Sequence, residues 1–218
     1  MKLYVYDHCP YCVKARMIFG FKKIPLELIT LANDDEQTPI SLIGQKMLPI
    51  LVEEGHAPMP ESLDIVKYLD EKKEYGEPVM NPSHEDPRLA TWLKEIRQYH
   101  YALAMPRWVV MGLEEFASPS AQEYFRKKKE LSIGPFEEAL KRTPELMAQA
   151  HKHLNVLEKI IEGEDSFWKE LSYDDLHVFA SLRCLTTVRG LELPPKINNY
   201  MNRMSERSQV PLHWNLAF

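Results

Sequence analysis

Two cysteines near the start of the chain are the residues whose types and spacing could do chemistry. Cys9 and Cys12 stand three positions apart, with Pro10 between them, in the stretch YDHCPYCVKAR. A C-x-x-C pair can be half of a zinc site, a structural disulfide or a reactive dithiol. The compartment, any further ligands and the surrounding secondary structure decide among these three.

The composition is that of an ordinary globular protein, and it excludes several function classes. The chain has 218 residues, of which 44% are hydrophobic and 27% are charged, with a net charge of -5. A domain that binds nucleic acid is usually basic, so no nucleic-acid partner is expected. No apolar stretch approaches the roughly 20 residues that a membrane span needs, so no membrane association is expected either.

The cysteine count and the N-terminus indicate the compartment. Three cysteines are too few for a disulfide framework in a chain of this length. The N-terminal stretch MKLYVYD reaches the charged Asp7 after four apolar residues, which is too short for the core of a signal peptide. We therefore expect a reducing, cytoplasmic environment, in which a Cys9–Cys12 disulfide would be transient and used in a reaction.

The cysteine pair lies between a predicted strand and a predicted helix. Leu3–Tyr6 is an apolar run rich in strand-forming residues, and apolar residues at helical spacing extend from Cys12 to about Gly20. Two more strands and a helix are predicted at 26–31, 48–52 and 62–69. This order of elements predicts an α/β sheet with at least one parallel crossover. Cys9 then falls where the first strand ends and the first helix begins.

The pattern changes near residue 75. Residues 74–88 are rich in proline, glycine and charge, which is typical of a linker. From Leu89 onward strand signals are absent, and apolar residues recur at helical spacing. We therefore predict an α/β domain over residues 1–73, a linker over 74–88 and an all-helical domain over 89–218.

The junction of strand and helix favours a reactive pair. A helix N-terminus presents unpaired backbone N–H groups and partial positive charge, which stabilise a thiolate. Pro10 suits the first helical turn, because its missing N–H would have no partner there. Such a position lowers a cysteine pKa from about 8.5 to between roughly 3.5 and 7.5. We predict that Cys9 is the nucleophile and that Cys12, one turn further on, is the resolving thiol.

A zinc site would need two further ligands, and the sequence offers no complete set. Cys184 stands alone, and His151 and His153 would point to different faces of a helix. There is no second C-x-x-C pair. We therefore expect no bound metal, and the context of Cys9 and Cys12 favours redox chemistry over zinc or an inert disulfide.

The stretch Cys9-Pro10-Tyr11-Cys12 resembles the active-site motif of glutaredoxins, and the resemblance extends along the chain. An α/β domain, a linker and a helical domain is also the plan of glutathione transferases. With MPES at residues 59–62 and AQEYFRKKKE further on, the whole chain is similar to the two-domain bacterial glutaredoxins. The resemblance implies a thioredoxin-like α/β domain followed by an all-α, glutathione-transferase-like domain, in a protein that is a monomer.

The resemblance also implies a binding site for glutathione. Pro49 stands where thioredoxin-like folds carry a cis-proline, and the backbone of Leu48 beside it would pair with glutathione. Glu61 and Ser62 stand where the family binds the γ-glutamyl end of that ligand. Two residues of the cysteine motif would also lie against it, namely Pro10 and Tyr11. From the residues alone, Ser62 has a structural interpretation as well, as the N-cap of the helix that follows.

What the resemblance implies is a glutathione-dependent thiol-disulfide oxidoreductase. Its partners would be glutathione, used as co-substrate, and glutathionylated or disulfide-bonded proteins. The alternative is a glutathione transferase of a cysteine-containing class, with the helical domain as the wall of a hydrophobic substrate site. Cys12 distinguishes the two, because a transferase needs only to hold glutathione. The intact motif also argues against a third interpretation, a binding module without activity.

Three other features have structural interpretations. Ser172 and Asp175 precede an apolar run and predict a capping box at the start of a buried helix. Cys184 lies between leucines on that helix and is predicted to be a buried free thiol. The basic run Arg126–Lys129 is typical of a solvated helix face.

Overall fold

The computed structural model describes all 218 residues and contains three strands and nine α-helices. The strands are β1 (Lys2–Val5), β2 (Glu27–Thr30) and β3 (Ile50–Val52). The helices are α1 (Pro10–Phe21), α2 (Gln37–Ile43), α3 (Ser62–Glu71), α4 (Pro87–Trp108), α5 (Pro119–Ile133), α6 (Phe136–Lys141), α7 (Thr143–Ile160), α8 (Tyr173–Leu185) and α9 (Pro195–Ser208). A small sheet domain is followed by a helical domain, which confirms the predicted fold class.

The sheet has the strand order β2-β1-β3, with β1 in the centre. Leu3 of β1 is paired with Leu28 in parallel β2 and with Leu51 in antiparallel β3. The parallel pair needs a crossover connection, which α1 provides. Leu3 and Val5 have no exposed area, so β1 is anchored in the core. The carboxyl end of this central strand leads directly to Cys9.

Helix α1 is buried between the two domains. It contacts α3 in the sheet domain and α8 and α9 in the helical domain. At Gly20 the approach is close, because a Cβ atom there would lie 2.0 Å from the carbonyl oxygen of Ser208 in α9. Any side chain at this position would push the two helices apart. Both domains therefore hold the helix that begins next to Cys9.

A buried charge cluster around Asp7 joins the domains two residues before Cys9. One Asp7 carboxylate oxygen accepts a hydrogen bond from Arg183 at 3.0 Å and lies 2.6 Å from Nε2 of His213. Arg16 of α1 also donates to this carboxylate, and Arg183 donates to the Asp7 carbonyl at 2.6 Å. Burial disfavours the carboxylate, but the His213 hydrogen bond and the two arginine charges outweigh it. They hold the pKa of Asp7 well below its usual range.

The predicted capping box is confirmed and begins α8. Both reciprocal hydrogen bonds between Ser172 and Asp175 are present, and the Ser172 N–H donates to Asp175 Oδ2 at 2.9 Å. Asp175 also accepts a hydrogen bond from the Phe167 N–H at 2.6 Å, which ties the preceding loop to the helix start. Helix α8 contacts both α1 and α4. It therefore links the helix of the cysteine pair to the centre of the helical domain.

The segment between α3 and α4 is hydrogen-bonded to both domains. The Asp70 carboxylate accepts from the backbone N–H groups of Val79 at 2.8 Å and Met80 at 3.1 Å. The Asn81 N–H donates to the Leu171 carbonyl at 3.0 Å. The connection is largely exposed, but these hydrogen bonds attach it to both domains.

Candidate active site

Cys9 occupies the N-cap position of α1, immediately after the central strand. The helix begins at Pro10, two residues earlier than the apolar spacing predicts, because its first turn carries Pro10 and the exposed Tyr11 in place of buried apolar residues. The backbone of Cys9 is extended, with φ -74 and ψ 120. Its sulfur therefore stands at the positive end of the helix without being part of it.

The two thiols differ in exposure and in environment. Both are free, but Cys9 is half-buried whereas Cys12 has no exposed area. A hydrogen bond from the Cys12 thiol is the main cause that lowers the pKa of Cys9 to about 6, against the opposing effect of burial. Burial, together with that hydrogen bond, raises the pKa of Cys12 well above its ordinary value. At neutral pH Cys9 is a thiolate, and Cys12 is a thiol that donates to it.

Positive charge and backbone dipoles add to this effect. The charge of His8 lowers the pKa of Cys9, and the backbone N–H groups of Cys12 and Tyr11 lower it further. These two N–H groups belong to the first turn of α1, which is the contribution expected of a helix N-terminus. The predicted stabilisation of the thiolate by the helix end is present, but it is smaller than the contribution of the neighbouring thiol.

His8 is held by a carboxylate of the helical domain. Its Nδ1 lies 2.7 Å from Oε1 of Glu115, and its backbone N–H donates to the same oxygen at 2.9 Å. Both residues are buried, and Glu115 lies in a 3-10 turn between α4 and α5. Sequence reasoning missed this pair, because its members are 107 positions apart and Glu115 belongs to no motif. The position of His8 next to Cys9 is the one signal that could have drawn attention to it.

Most residues predicted to bind glutathione line one small cavity of about 180 Å³. These are Tyr11, Leu48, Pro49, Glu61 and Ser62, with Met47 added by the structure. The Leu48–Pro49 peptide bond is cis, as the resemblance to glutaredoxins implies. The exception is Pro10, which borders a larger cleft on the other side of Tyr11.

The start of α3 differs from the prediction made for Ser62. The N-cap is Glu61, which makes no capping hydrogen bond with its side chain, and Ser62 is the first helical residue. The N-cap interpretation of Ser62 is therefore wrong. Glu61 has a φ of 67, which non-glycine residues seldom adopt and which is often found at ligand sites. The Glu61 carboxylate and the Ser62 hydroxyl both border the small cavity.

A cleft of about 890 Å³ lies between the two domains and opens beside Cys9. Its floor in the helical domain is largely aromatic, with Tyr101, Trp108 and Phe125. Its lining includes four cationic side chains and no carboxylate; the four are Lys94, Arg97, Lys129 and Arg142. Arg142 pairs with Glu145 at 2.9 Å, whereas the other three make no ion pair. In a chain of net charge -5, the cleft is a positive region.

The remaining predicted features, Cys184 and the basic run Arg126–Lys129, lie outside the cysteine pair and the small cavity. Cys184 is 3% exposed, and burial raises its pKa to about 12, so it is the buried free thiol that its leucine neighbours predict. In the basic run on α5, Arg126, Lys127 and Lys128 are exposed, as predicted for a solvated face. Lys129 differs, because it turns toward the cleft and borders it.

Neither a cluster of metal-ligating side chains nor a membrane-spanning helix is found. No group of three or more His, Cys, Asp or Glu side chains is arranged to hold a metal ion. None of the nine helices combines the length and the apolar character that crossing a bilayer requires.

These features together define a class of protein. A dithiol at a strand–helix junction, a cis-proline beside it and a helical domain packed over it are the parts of a thiol oxidoreductase built on the glutathione-transferase plan. Two family models agree with this division. The model described as the N-terminal domain of glutathione S-transferase matches residues 3–78, and the model described as the C-terminal domain of glutaredoxin 2 matches residues 88–217.

Individual relatives make the identification specific. Glutaredoxin 2 of Escherichia coli K12 is 42% identical over 217 residues, which cover 100% of both chains. The structure of glutaredoxin 2 from Salmonella typhimurium in complex with glutathione, also 42% identical, superposes with a TM-score of 0.94 over 100% of this chain and 98% of that one. A glutathione S-transferase from Xanthobacter autotrophicus, 17% identical, shares the fold with a TM-score of 0.55 over 94% of this chain and 92% of its own. This chain belongs to the glutaredoxin 2 family, and its activity is that of a glutathione-dependent thiol oxidoreductase.

Proposed function

We propose that Cys9 is the attacking thiol of this oxidoreductase and that Cys12 is the resolving thiol. The observation that carries the proposal is the asymmetry of the pair. A half-buried cysteine with a pKa of about 6 lies beside a fully buried thiol whose pKa is raised. The thiolate is the nucleophile in disulfide exchange, and a thiol whose pKa lies near the ambient pH attacks fastest.

Reduction of a glutathionylated protein needs Cys9 alone. Its thiolate attacks the glutathione sulfur, a Cys9–glutathione disulfide forms, and the protein cysteine leaves as a thiolate. The thiolate of a second glutathione then attacks the glutathione sulfur on Cys9. Glutathione disulfide leaves, and the Cys9 thiolate is restored.

Reduction of a protein disulfide needs both cysteines. After Cys9 has attacked one substrate sulfur, Cys12 gives up its proton, attacks the Cys9 sulfur and releases the second substrate thiol. The mixed disulfide removes the Cys9 anion, and that anion is one cause of the raised pKa of Cys12. The first step therefore activates the thiol that performs the second. Two glutathiones reduce the resulting Cys9–Cys12 disulfide and leave as glutathione disulfide.

Glutathione binds in the small cavity next to Tyr11. The Leu48 backbone beside the cis-proline pairs with the peptide part of the ligand, while Glu61 and Ser62 hold its γ-glutamyl end. The Glu61 carboxylate suits the ammonium group, and the Ser62 hydroxyl with the first N–H groups of α3 suits the carboxylate. Pro10 and Tyr11 flank the sulfur. The structure of the Salmonella typhimurium relative in complex with glutathione supports glutathione as the ligand.

The protein part of the substrate binds in the large cleft. A volume of about 890 Å³ is in the range of about 300 to 1,000 Å³ that is usual for ligand sites. Lys94, Arg97 and Lys129 border it without ion-pair partners, so the cleft favours substrate segments with acidic residues near the disulfide. The aromatic floor suits an apolar side chain of the same segment.

In this proposal the predicted domains have different roles. Residues 1–73 carry the thiols and the glutathione cavity, residues 74–88 connect the domains, and residues 89–218 form the far wall of the cleft. The resemblance to the two-domain bacterial glutaredoxins supports activity as a monomer. Glutathione-dependent reduction by a dithiol also suits the cytoplasm, where glutathione keeps thiols reduced.

A glutathione transferase of a cysteine-containing class would use the same cavity and cleft. It would conjugate glutathione to an electrophile, and Cys12 would then have no task. The hydrogen bond from Cys12 to Cys9 gives the second cysteine a task in activating the first. Family membership points the same way, so the oxidoreductase is the function that we retain.

Substitution of each cysteine should separate the two reactions. Cys9→Ser should abolish both, because no mixed disulfide can form. Cys12→Ser should keep most of the activity on a glutathionylated peptide and lose it on a protein disulfide, because a serine hydroxyl can still donate to Cys9 but cannot form a disulfide. Rates of glutathione disulfide formation with each substrate measure this, with Cys184→Ser as the control. Equal losses from Cys9→Ser and Cys12→Ser would contradict the assigned roles.

The glutathione cavity can be tested apart from the thiols. The double variant Glu61→Gln with Ser62→Ala should raise the KM for glutathione about tenfold to a hundredfold, since a hydrogen bond to a charged group is worth about 1.5 to 3 kcal/mol. The alkylation rate of Cys9 should not change. Glu71→Gln, an exposed substitution at the other end of α3, is the matched control. An unchanged KM in the folded double variant would place glutathione elsewhere.

Charge reversal in the cleft should change substrate preference. Lys129→Glu should lower kcat/KM for a glutathionylated peptide with acidic flanks by about threefold to tenfold, since one exposed ion pair is worth up to about 1 kcal/mol and reversal makes it repulsive. A peptide with basic flanks should gain, and a small neutral disulfide should show no change. Lys127→Glu, on the solvent face of the same helix, should leave all three rates unchanged. The same loss for acidic and basic peptides would contradict the charge preference.

A further inference from the structure

We propose that Glu115 of the helical domain is a positioning residue for the Cys9 thiolate, because it fixes the ring of His8 and supplies the negative charge that pairs with it. The proposal rests on the role proposed for Cys9 and goes beyond it. It makes the reactivity of a thiol in the sheet domain depend on a carboxylate of the helical domain.

The Glu115 carboxylate is committed to His8 alone. Its Oε1 lies 2.7 Å from Nδ1 and accepts from the His8 backbone N–H at 2.9 Å, while its Oε2 is buried without a partner. Burial disfavours the charge, but the hydrogen bond and the charge of His8 outweigh it and lower the pKa of Glu115. An ionised carboxylate can only accept hydrogen bonds. The proton shared by this pair is therefore carried on Nδ1 of His8.

The orientation of the His8 ring is fixed by an aromatic cage. Its ring centroid lies between 4.8 and 5.6 Å from those of four aromatic rings, which belong to Tyr6, Trp108, Phe116 and Phe125. Three of these four are in the helical domain. His8 also borders the same two cavities as Cys9, so the ring and the sulfur share one environment.

The turn that carries Glu115 is attached to the sheet domain as well. The backbone N–H of Asn33, which follows β2, donates to the Glu115 carbonyl at 2.9 Å. The carboxylate therefore has a fixed position relative to Cys9. The Glu115 carboxylate pairs with the His8 ring, and the charge of His8 lowers the pKa of Cys9.

Other titratable groups lie near Cys9 and His8, and none of them is hydrogen-bonded to the Glu115 carboxylate. Those that act on Cys9 are Tyr6 after β1, Cys12 and Lys14 on α1, Tyr101 on α4 and Cys184 on α8. The others that border the second cavity of His8 are Lys46 before β3 and Tyr124, Lys128 and Lys129 on α5. A substitution at Glu115 therefore leaves these groups in place and changes one charge.

The substitution Glu115→Gln separates charge from shape, since glutamine has the same size and can still accept from the His8 backbone. The experiment measures the rate of Cys9 alkylation from about pH 5 to about pH 9, with the modified residue identified by mass. We expect Glu115→Gln to slow this rate about fivefold to tenfold at pH 6, because the thiolate fraction falls about tenfold for each unit of increase in pKa. Above about pH 9 the two rates should converge. The control is Glu114→Gln, an exposed neighbour in the same turn.

A second comparison tests whether Glu115 acts through His8. His8→Asn should slow alkylation at pH 6 at least as much as Glu115→Gln, and the double variant should be no slower than His8→Asn alone. A purely structural role of Glu115 would instead add its effect to that of His8→Asn. Cys184 reports on folding in the same samples, because it is 3% exposed and should react only when the chain unfolds.

Two results would overturn the proposal. One is a Glu115→Gln variant that keeps Cys184 protected and reacts at pH 6 as fast as the parent. The other concerns the case in which Glu115→Gln exposes Cys184 and so fails to fold. His8→Asn then serves as the test, and Cys9 alkylation in His8→Asn as fast as in the parent at pH 6 would overturn the proposal. Slow alkylation of Cys9 in the parent itself at pH 6 would instead refute the role proposed for Cys9.

Discussion

The ionic contact between Asp7 and the buried Arg183 is the interaction on which the arrangement of the site depends. Arg183 is 2% exposed and donates to both the carboxylate and the carbonyl of Asp7, and His213 shares the same carboxylate. Removal of one partner from such a pair typically costs about 3 to 5 kcal/mol, because the other charge stays buried. The contact holds the end of β1 against the helical domain. Cys9 lies two residues further on, so its surroundings are set by both domains.

The chemistry follows from the different environments that this position gives to two identical side chains, those of Cys9 and Cys12. Cys9 borders the cleft at the start of α1, whereas Cys12 is buried in the core and its hydrogen bond lowers the pKa of Cys9. One thiol is thereby kept ionised by the proton of the other. Once Cys9 enters a disulfide, the charge that holds the Cys12 proton is gone, and the resolving step becomes easier. A thioredoxin-like domain supplies these sulfurs, and the helical domain supplies the rest of the cleft.

Local patterns predicted the parts of the molecule that depend on neighbours in the sequence. The C-x-x-C pair between a strand and a helix, the capping box at Ser172 and the buried Cys184 all follow from short stretches of chain. The N-cap role of Ser62 was wrong, because Glu61, with its positive φ, is the N-cap and the helix starts one residue earlier, at Ser62 itself. The pairing of His8 with Glu115 depends on tertiary folding alone, and no local pattern contains it.

The central claim is that one cysteine of this chain is a thiolate at neutral pH and the other two are not. Thiolates absorb in the ultraviolet and thiols do not, so a pH titration of the reduced, native protein counts them directly. The structure predicts one thiolate per chain, half formed near pH 6, with no second one until the pH is well above the ordinary cysteine value of about 8.5. Absorbance that first rises near pH 8.5, or two thiolates that form together, would contradict this account of the site.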